Sequence, residues 1–286
     1  MIVTVASGKG GTGKTTVATN LALVSPAAQY IDCDVEEPNG HLFLKPEIGQ
    51  EIEVGLPIPH IDTEKCTACG ECARACEFNA LALVGKKVMA FPDLCHGCGA
   101  CLYVCPEKAI SENAKIIGRL EVGSAPALDG QRLEFAHGVS KIGNPLTPPI
   151  IKRVKKLARK DHFVIMDSPP GTSCPMVQTL LGSDYCVFVT EPTPFGLNDL
   201  ELAVGVARQL EIPCGIVINR ADAGDERIHR YCEQEKIPLL LEIPFDRDLA
   251  FAYSKGEAAV TASPKMAAKF RTLHQRIIEE AGRCRN

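Results

Sequence analysis

Gly8-Lys9-Gly10-Gly11-Thr12-Gly13-Lys14-Thr15-Thr16 is the stretch from which the rest of the chain is read. It fits G-x-x-x-x-G-K-S/T, the spacing of a phosphate-binding loop. The flanks supply the required setting. Ile2-Val3-Thr4-Val5-Ala6 is a short β-branched run, as a buried strand should be, and Val17 to Leu23 reads as helix. Glycines let the backbone turn its N–H groups inward, and a helix N-terminus adds a positive dipole end. Lys14 is then placed to reach β/γ-phosphates and the Thr15 hydroxyl to face Mg²⁺. Strand, glycine loop and helix together predict a nucleotide site.

Composition narrows what that site serves. The chain has 286 residues, enough for one large α/β domain or one domain plus a small module. A net charge of −4 and few aromatics, with no tryptophan, argue against a nucleic-acid platform. No apolar run is long enough to span a membrane. A strand that opens at Met1 leaves no room for a signal peptide, so a cytoplasmic protein is expected. In a reducing compartment, 14 cysteines point to metal or redox work rather than disulfides.

Eight of them form an internal repeat. Cys66-x2-Cys69-x2-Cys72-x3-Cys76 is followed by Cys95-x2-Cys98-x2-Cys101-x3-Cys105-Pro106, and each copy has the spacing of a bacterial ferredoxin. Structural zinc competes for cysteines, but its sites use paired C-x2-C knuckles. In two-cluster ferredoxins the fourth cysteine of each run ligates the other cluster. That rule assigns Cys66, Cys69, Cys72 and Cys105 to one [4Fe–4S] cluster and Cys95, Cys98, Cys101 and Cys76 to a second. Gly70, Gly97 and Gly99 allow backbone N–H groups near the sulfur, and Ala80–Val84 with Lys87–Phe91 suggests a hairpin around Gly85. Glu77 departs from the pattern, which usually has proline there. Residues 59–114 thus look like a whole two-cluster ferredoxin inserted in a larger domain.

Outside the insert, apolar runs alternate with helical stretches. Tyr30-Ile31-Asp32-Cys33-Asp34 ends a second strand, with Asp32 and Asp34 on one side and Cys33 on the other. Arg119–Val122 and Arg132–Phe135 alternate like strands, and Ile150–Lys160 reads as an amphipathic helix with a basic outer face. His162–Asp167, Tyr185–Thr190, Pro213–Asn219 and Pro238–Ile243 are further buried strands. Such alternation predicts a parallel sheet with helices on both faces. The last helix, from Ser263-Pro264, carries Met266, Phe270, Leu273 and Ile277 as one core-facing stripe.

Lys9, just after the first glycine, makes the loop resemble the deviant Walker A of the MinD/ParA/Mrp and nitrogenase iron-protein group. Asp32-Cys33-Asp34-Val35-Glu36-Glu37-Pro38-Asn39 resembles that group's first switch, and Asp167-Ser168-Pro169-Pro170-Gly171-Thr172 its second. The resemblance implies an ATP-dependent homodimer in which Lys9 reaches the partner's nucleotide. It implies that Asp34 positions the hydrolytic water, that Asn39 and Pro170 are switch positions, that Asp167 holds the Mg²⁺ shell and that Gly171 lies near the γ-phosphate. Asn219 and the loop of Pro244 and Asp246 fall where the group recognises the base. Cys174, after the second switch, is either a redox or bridging ligand, as in the iron protein, or a structural thiol. Residues 1–58 and 115–286 are then the P-loop ATPase core, and the expected function is electron transfer through two [4Fe–4S] clusters driven by ATP. The alternative is a nucleotide-gated carrier of clusters or metal for an unidentified client.

Overall fold

The computed structural model describes residues 1–284. In chain order the elements are β1 (Ile2–Ala6), α1 (Lys14–Val24), β2 (Ala28–Asp32), α2 (Gly40–Leu44), β3 (Glu47–Ile61), α3 (Glu71–Arg74), β4 (Leu81–Val84), β5 (Lys87–Ala90), α4 (Ala100–Tyr103), β6 (Ile110–Pro126) and β7 (Arg132–Ser140). They continue with α5 (Pro148–Lys155), β8 (Phe163–Asp167), α6 (Cys174–Leu180), β9 (Tyr185–Thr190), α7 (Pro194–Gln209), β10 (Cys214–Asn219), α8 (Arg227–Glu235), β11 (Leu239–Ile243), α9 (Arg247–Ser254), α10 (Ala259–Ala262) and α11 (Pro264–Arg283).

One nine-stranded sheet organises them in the order β11-β10-β9-β1-β8-β2-β7-β6-β3. The strands from β11 to β7 are parallel, while β6 and β3 are antiparallel additions at one edge. The sheet therefore departs from the all-parallel expectation at that edge. β3 carries Ile52, Val54, Leu56 and Ile58 at alternate positions and includes Pro57 and Pro59. An edge strand accommodates both prolines because one row of its N–H groups needs no partner.

Apolar side chains from alternate strand positions fill two faces. Val3, Val5, Tyr30, Ile165, Val187 and Val217 pack under α1 and α11. On the opposite face Phe188, Ile216 and Ile218 pack under α7 and α8, while Ile31, Val164 and Met166 pack under α5. Cys33 and Cys186 are completely buried in this second layer. Desolvation pushes the Cys33 thiol above its ordinary range.

α5 ends earlier than its sequence pattern suggests, and Lys155 does not join the exposed basic face. Its ammonium turns inward and donates to the carbonyls of Gln178, Thr179 and Leu181 at 2.7, 2.6 and 2.6 Å. These are the unsatisfied carbonyls at the C-terminal end of α6, so Lys155 caps that helix.

β3 and β6 pair from Glu47–Ser124 to Ile61–Ile110, which makes a long two-stranded ribbon. The cysteine repeats lie between its ends. The ribbon runs without a break through positions 58/59 and 114/115, where the ferredoxin-like stretch was expected to begin and end. β4 and β5 form the hairpin expected around Gly85, which has φ 60°.

Candidate functional site: a phosphate loop and two cysteine cavities

β1 is flanked by β8 and β9, and β8 by β2. The loops leaving β1, β2 and β8 consequently emerge side by side at the carboxyl edge, where ligands bind open α/β sheets. Gly11 and Gly13 hold φ values of 78° and 93°, and the turn ends directly on α1, whose first residue is Lys14. Gly8 lies so close to the backbone of Asp199 in α7 that a Cβ could not fit. The Ser7 hydroxyl donates to the Lys9 carbonyl at 2.7 Å. Lys9 itself is half-exposed, Thr12 and Lys14 are buried, and Thr15 and Thr16 are half-buried at the start of the helix.

Asp32 and Asp167 are register partners on adjacent strands, and both are fully buried. Asp32 accepts from the backbone N–H of Asp34 and of Gly40, each at 3.0 Å. Asp167 accepts from the Tyr30 hydroxyl at 3.0 Å through Oδ2, whereas its Oδ1 is buried with no hydrogen-bond partner. Burial raises the Asp167 pKa, opposed by the Lys14 ammonium and then by the hydroxyls of Thr15 and Tyr30. Asp32 is raised by burial and by the Asp167 charge. Asp34, at the mouth, is pushed up to about 6 by burial, against the pull of Lys14.

Asp34 and Asp167 both feel the Lys14 ammonium, and two buried atoms of this region, Asp167 Oδ1 and Thr12 Oγ1, have no hydrogen-bond partner. That donor set fits a hard divalent cation with a phosphate beside it. Thr15, Asp34 and Asp167 are the residues that would hold it.

The second-switch residues close over the same edge. Ser168 donates its backbone N–H to the Val5 carbonyl at 3.0 Å, and Gly171 donates to that of Ser7 at 3.1 Å. Gly171 adopts φ 90°, Pro170 is exposed, and Asn39 is exposed just before α2. Cys174 is exposed at the first position of the seven-residue α6, away from the eight repeat cysteines in sequence and element.

The base-recognition candidates divide. Asn219 packs on the phosphate loop: its Nδ2 donates to the Thr12 carbonyl at 2.9 Å and its Oδ1 accepts from the Arg220 N–H at 3.0 Å. Asp246 is the N-cap of α9 and accepts from the N–H groups of Asp248 and Leu249 at 2.8 and 3.3 Å. Pro244 is exposed beside it. A residue without a sequence signal, Asp222, ties these loops by accepting from the Phe245 N–H at 2.6 Å. Tyr30 and Asp32 also escaped assignment from sequence, because only the β2–β8 register sets them against Asp167.

The eight repeat cysteines surround two cavities. One is lined by Cys66, Cys69, Cys72 and Cys105, the other by Cys76, Cys95, Cys98 and Cys101. Among the described residues no three His, Cys, Asp or Glu side chains converge on a single ion. A cubane instead spreads its irons over separate corners, and thiols ringing a cavity fit that arrangement. The two halves repeat their polar contacts: Ala80 N–H points at Cys76 Sγ and Ala109 N–H at Cys105 Sγ, each at 3.3 Å. Such N–H···S bonds stabilise a thiolate and tune a cluster. Ala68 at φ 58° occupies the turn position that Gly97, at φ 66°, occupies in the second half. A Cβ on Gly97 would lie 2.8 Å from Leu56 Cδ1, so the second half is pressed against β3. Burial raises Cys72 and lifts Cys101 to about 11.

This fold and edge define a P-loop nucleotide-binding α/β protein. Residues 3–260 match the CobQ/CobB/MinD/ParA nucleotide binding domain, and the chain belongs to that family. Over 264 residues it is 34% identical to an uncharacterized protein of Methanocaldococcus jannaschii, covering 90% of this chain and 91% of that one. An iron-sulfur cluster carrier protein of Aquifex aeolicus is 26% identical over 284 residues, 92% of this chain and 62% of its own length. Ferredoxin-3 of Nostoc is 32% identical over 72 residues, 18% of this chain and 74% of its own. Among solved structures, the septum site-determining protein MinD of Pyrococcus horikoshii with Mg-ADP superposes with TM-score 0.60 at 19% identity, covering 99% of this chain and 98% of that one. Among the described residues no helix is long and apolar enough to cross a membrane.

Proposed function

We propose that the chain hydrolyses ATP as a homodimer and uses that cycle to gate electron transfer through two [4Fe–4S] clusters. In this reading residues 59–114 form an inserted ferredoxin-like domain, and residues 1–58 with 115–286 form the ATPase, joined by the ribbon. The observation that carries the coupling is β3 itself. It starts eight residues after Asn39 and continues to Ile61. On the way Pro57 and Pro59 line one cysteine cavity, and Ile61 lines the other. A shift of the first switch therefore has a continuous strand along which to reach both clusters, and switch segments reorder with the γ-phosphate.

The roles follow from position. Gly8 to Thr16 wrap the phosphates, Lys14 neutralises them, and Lys9 reaches the partner's nucleotide. Thr15, Asp34 and Asp167 would hold Mg²⁺, and Asp34 would orient the attacking water. Asn219 meets the adenine edge, with the Pro244–Asp246 loop flanking the ring. Mg²⁺, when bound, offsets the charge that develops on the phosphates. The eight repeat cysteines would hold the clusters, which would supply single-electron transfer. Cys174 receives no role.

The test is the rate at which a chelator bleaches the clusters of anaerobically purified protein. ATP, but not ADP, is expected to change that rate. Equal rates in the apo, ADP and ATP states would leave the ferredoxin-like part an independent passenger. The Aquifex relative's name supports a second reading, cluster delivery. Transfer of radiolabelled iron to an apo-protein would favour it.

A further inference from the structure

Tyr30 is a buried phenol in a place where the nucleotide site has no evident use for one. Its side chain is fully buried on β2, stacked on Phe135 with ring centroids 5.8 Å apart and planes 13° from parallel. Its hydroxyl donates to Asp167 Oδ2 at 3.0 Å and lies 3.4 Å from Asp32 Oδ2. A phenol has one proton to give, and Asp32 is already served by two backbone N–H groups. Asp167 is not, so the shorter contact takes the proton. On its other side the phenol abuts Gly40, where a Cβ would collide with the hydroxyl oxygen. Gly40 follows Asn39 and begins α2.

We propose that Tyr30 is a positioning residue for the divalent cation. It engages one oxygen of Asp167, fixes the carboxylate's rotation, and leaves the unpartnered Oδ1 for the cation's shell. The inference rests on the nucleotide reading above. It goes beyond it in assigning the orientation of Asp167 to a residue outside both switches and the phosphate loop. Because the phenol abuts Gly40, the end of the first switch and the Tyr30 hydroxyl that engages Asp167 are in direct contact.

The test is Tyr30→Phe in the intact, cluster-loaded protein, with a fluorescent ATP analogue as probe. The Mg²⁺ concentration for half-maximal binding is expected to rise about tenfold or more, the loss typical of one hydrogen bond to a charged group. Affinity in EDTA should stay at the wild-type value. Gly40→Ala, which displaces the phenol without removing it, should raise the half-maximal Mg²⁺ concentration as well and serves if Tyr30→Phe does not fold. Phe135→Leu, which loosens the stack but keeps the hydroxyl, should leave it unchanged. An unchanged Mg²⁺ midpoint in Tyr30→Phe, with binding still abolished by Lys14→Ala, would reduce Tyr30 to core filling and leave the nucleotide site standing. Equal shifts in Phe135→Leu would likewise overturn the assignment. Failure of the wild-type protein to bind the analogue, with or without Mg²⁺, would remove the nucleotide reading and this inference together.

Discussion

Asp34 lies at the open end of a carboxylate series whose inner members, Asp32 and Asp167, are fully buried. Burial lifts its pKa to about 6, and Lys14 limits the rise. A residue that orients water through a charged oxygen works only when ionised. ATP turnover is therefore expected to rise with pH through about 6 and then level off, and Asp34→Asn should keep ATP binding but stop turnover. A flat profile, or residual turnover in the variant, would take the role from Asp34. Stability has the opposite sign. The folded chain holds the Asp34 proton to higher pH than the unfolded chain, so the nucleotide-free protein loses stability as pH rises from the ordinary carboxylate range towards 6. Mg²⁺ with nucleotide should oppose that loss.

At the scale of elements, the two halves of the ferredoxin-like segment exchange their last cysteines. Cys105 follows α4 but lines the cavity of Cys66, Cys69 and Cys72, and Cys76 follows α3 but lines that of Cys95, Cys98 and Cys101. Each short helix ends with its fourth thiol turned away from the first three, and the Ala80 and Ala109 N–H groups hold the two departing sulfurs alike. Cys105→Ser should consequently damage the cluster at Cys66, Cys69 and Cys72 and spare the one whose other ligands surround it in sequence. Iron and sulfide analysis, with the electron-paramagnetic-resonance signal of the reduced protein, distinguishes the two. Loss of the cluster at Cys95, Cys98 and Cys101 instead would overturn the exchanged ligation.

Over the whole molecule, the carboxyl edge of the sheet carries both the phosphate loop and a set of exposed apolar side chains. Leu42 on α2, Phe195 on α7 and Phe251 on α9 are 50, 78 and 62% exposed, and their helices follow β2, β9 and β11 at that edge. Exposed apolar side chains on helices that follow these strands favour association there. With ATP, light scattering should report a doubling of the 30.8 kDa mass, and Lys9→Ala should stay monomeric. A wild-type monomer in ATP would remove the dimer and the trans role of Lys9.

Local sequence alone determined the phosphate loop, the ferredoxin spacing and most of the parallel strands. Each depends on residues a few positions apart: glycines at a turn, thiols at fixed intervals, apolar runs between helices. It also predicted helices on both faces, which the apolar clusters on the two sides of the sheet bear out. Relations between distant residues had to await the tertiary structure. The register Asp32–Asp167 turns two strand ends into a buried acidic pair, and it gives Tyr30 a partner 137 positions away. The prolines of β3 are compatible with a strand at a sheet edge, and which strand is the edge is a property of the assembled sheet. Lys155 looked like one more surface cation, and the packing of α5 against α6 brought it to three carbonyls that no short-range pattern records. A side chain's partners are set by whichever strand or helix closes over it, and that choice is made by the burial of the whole apolar surface.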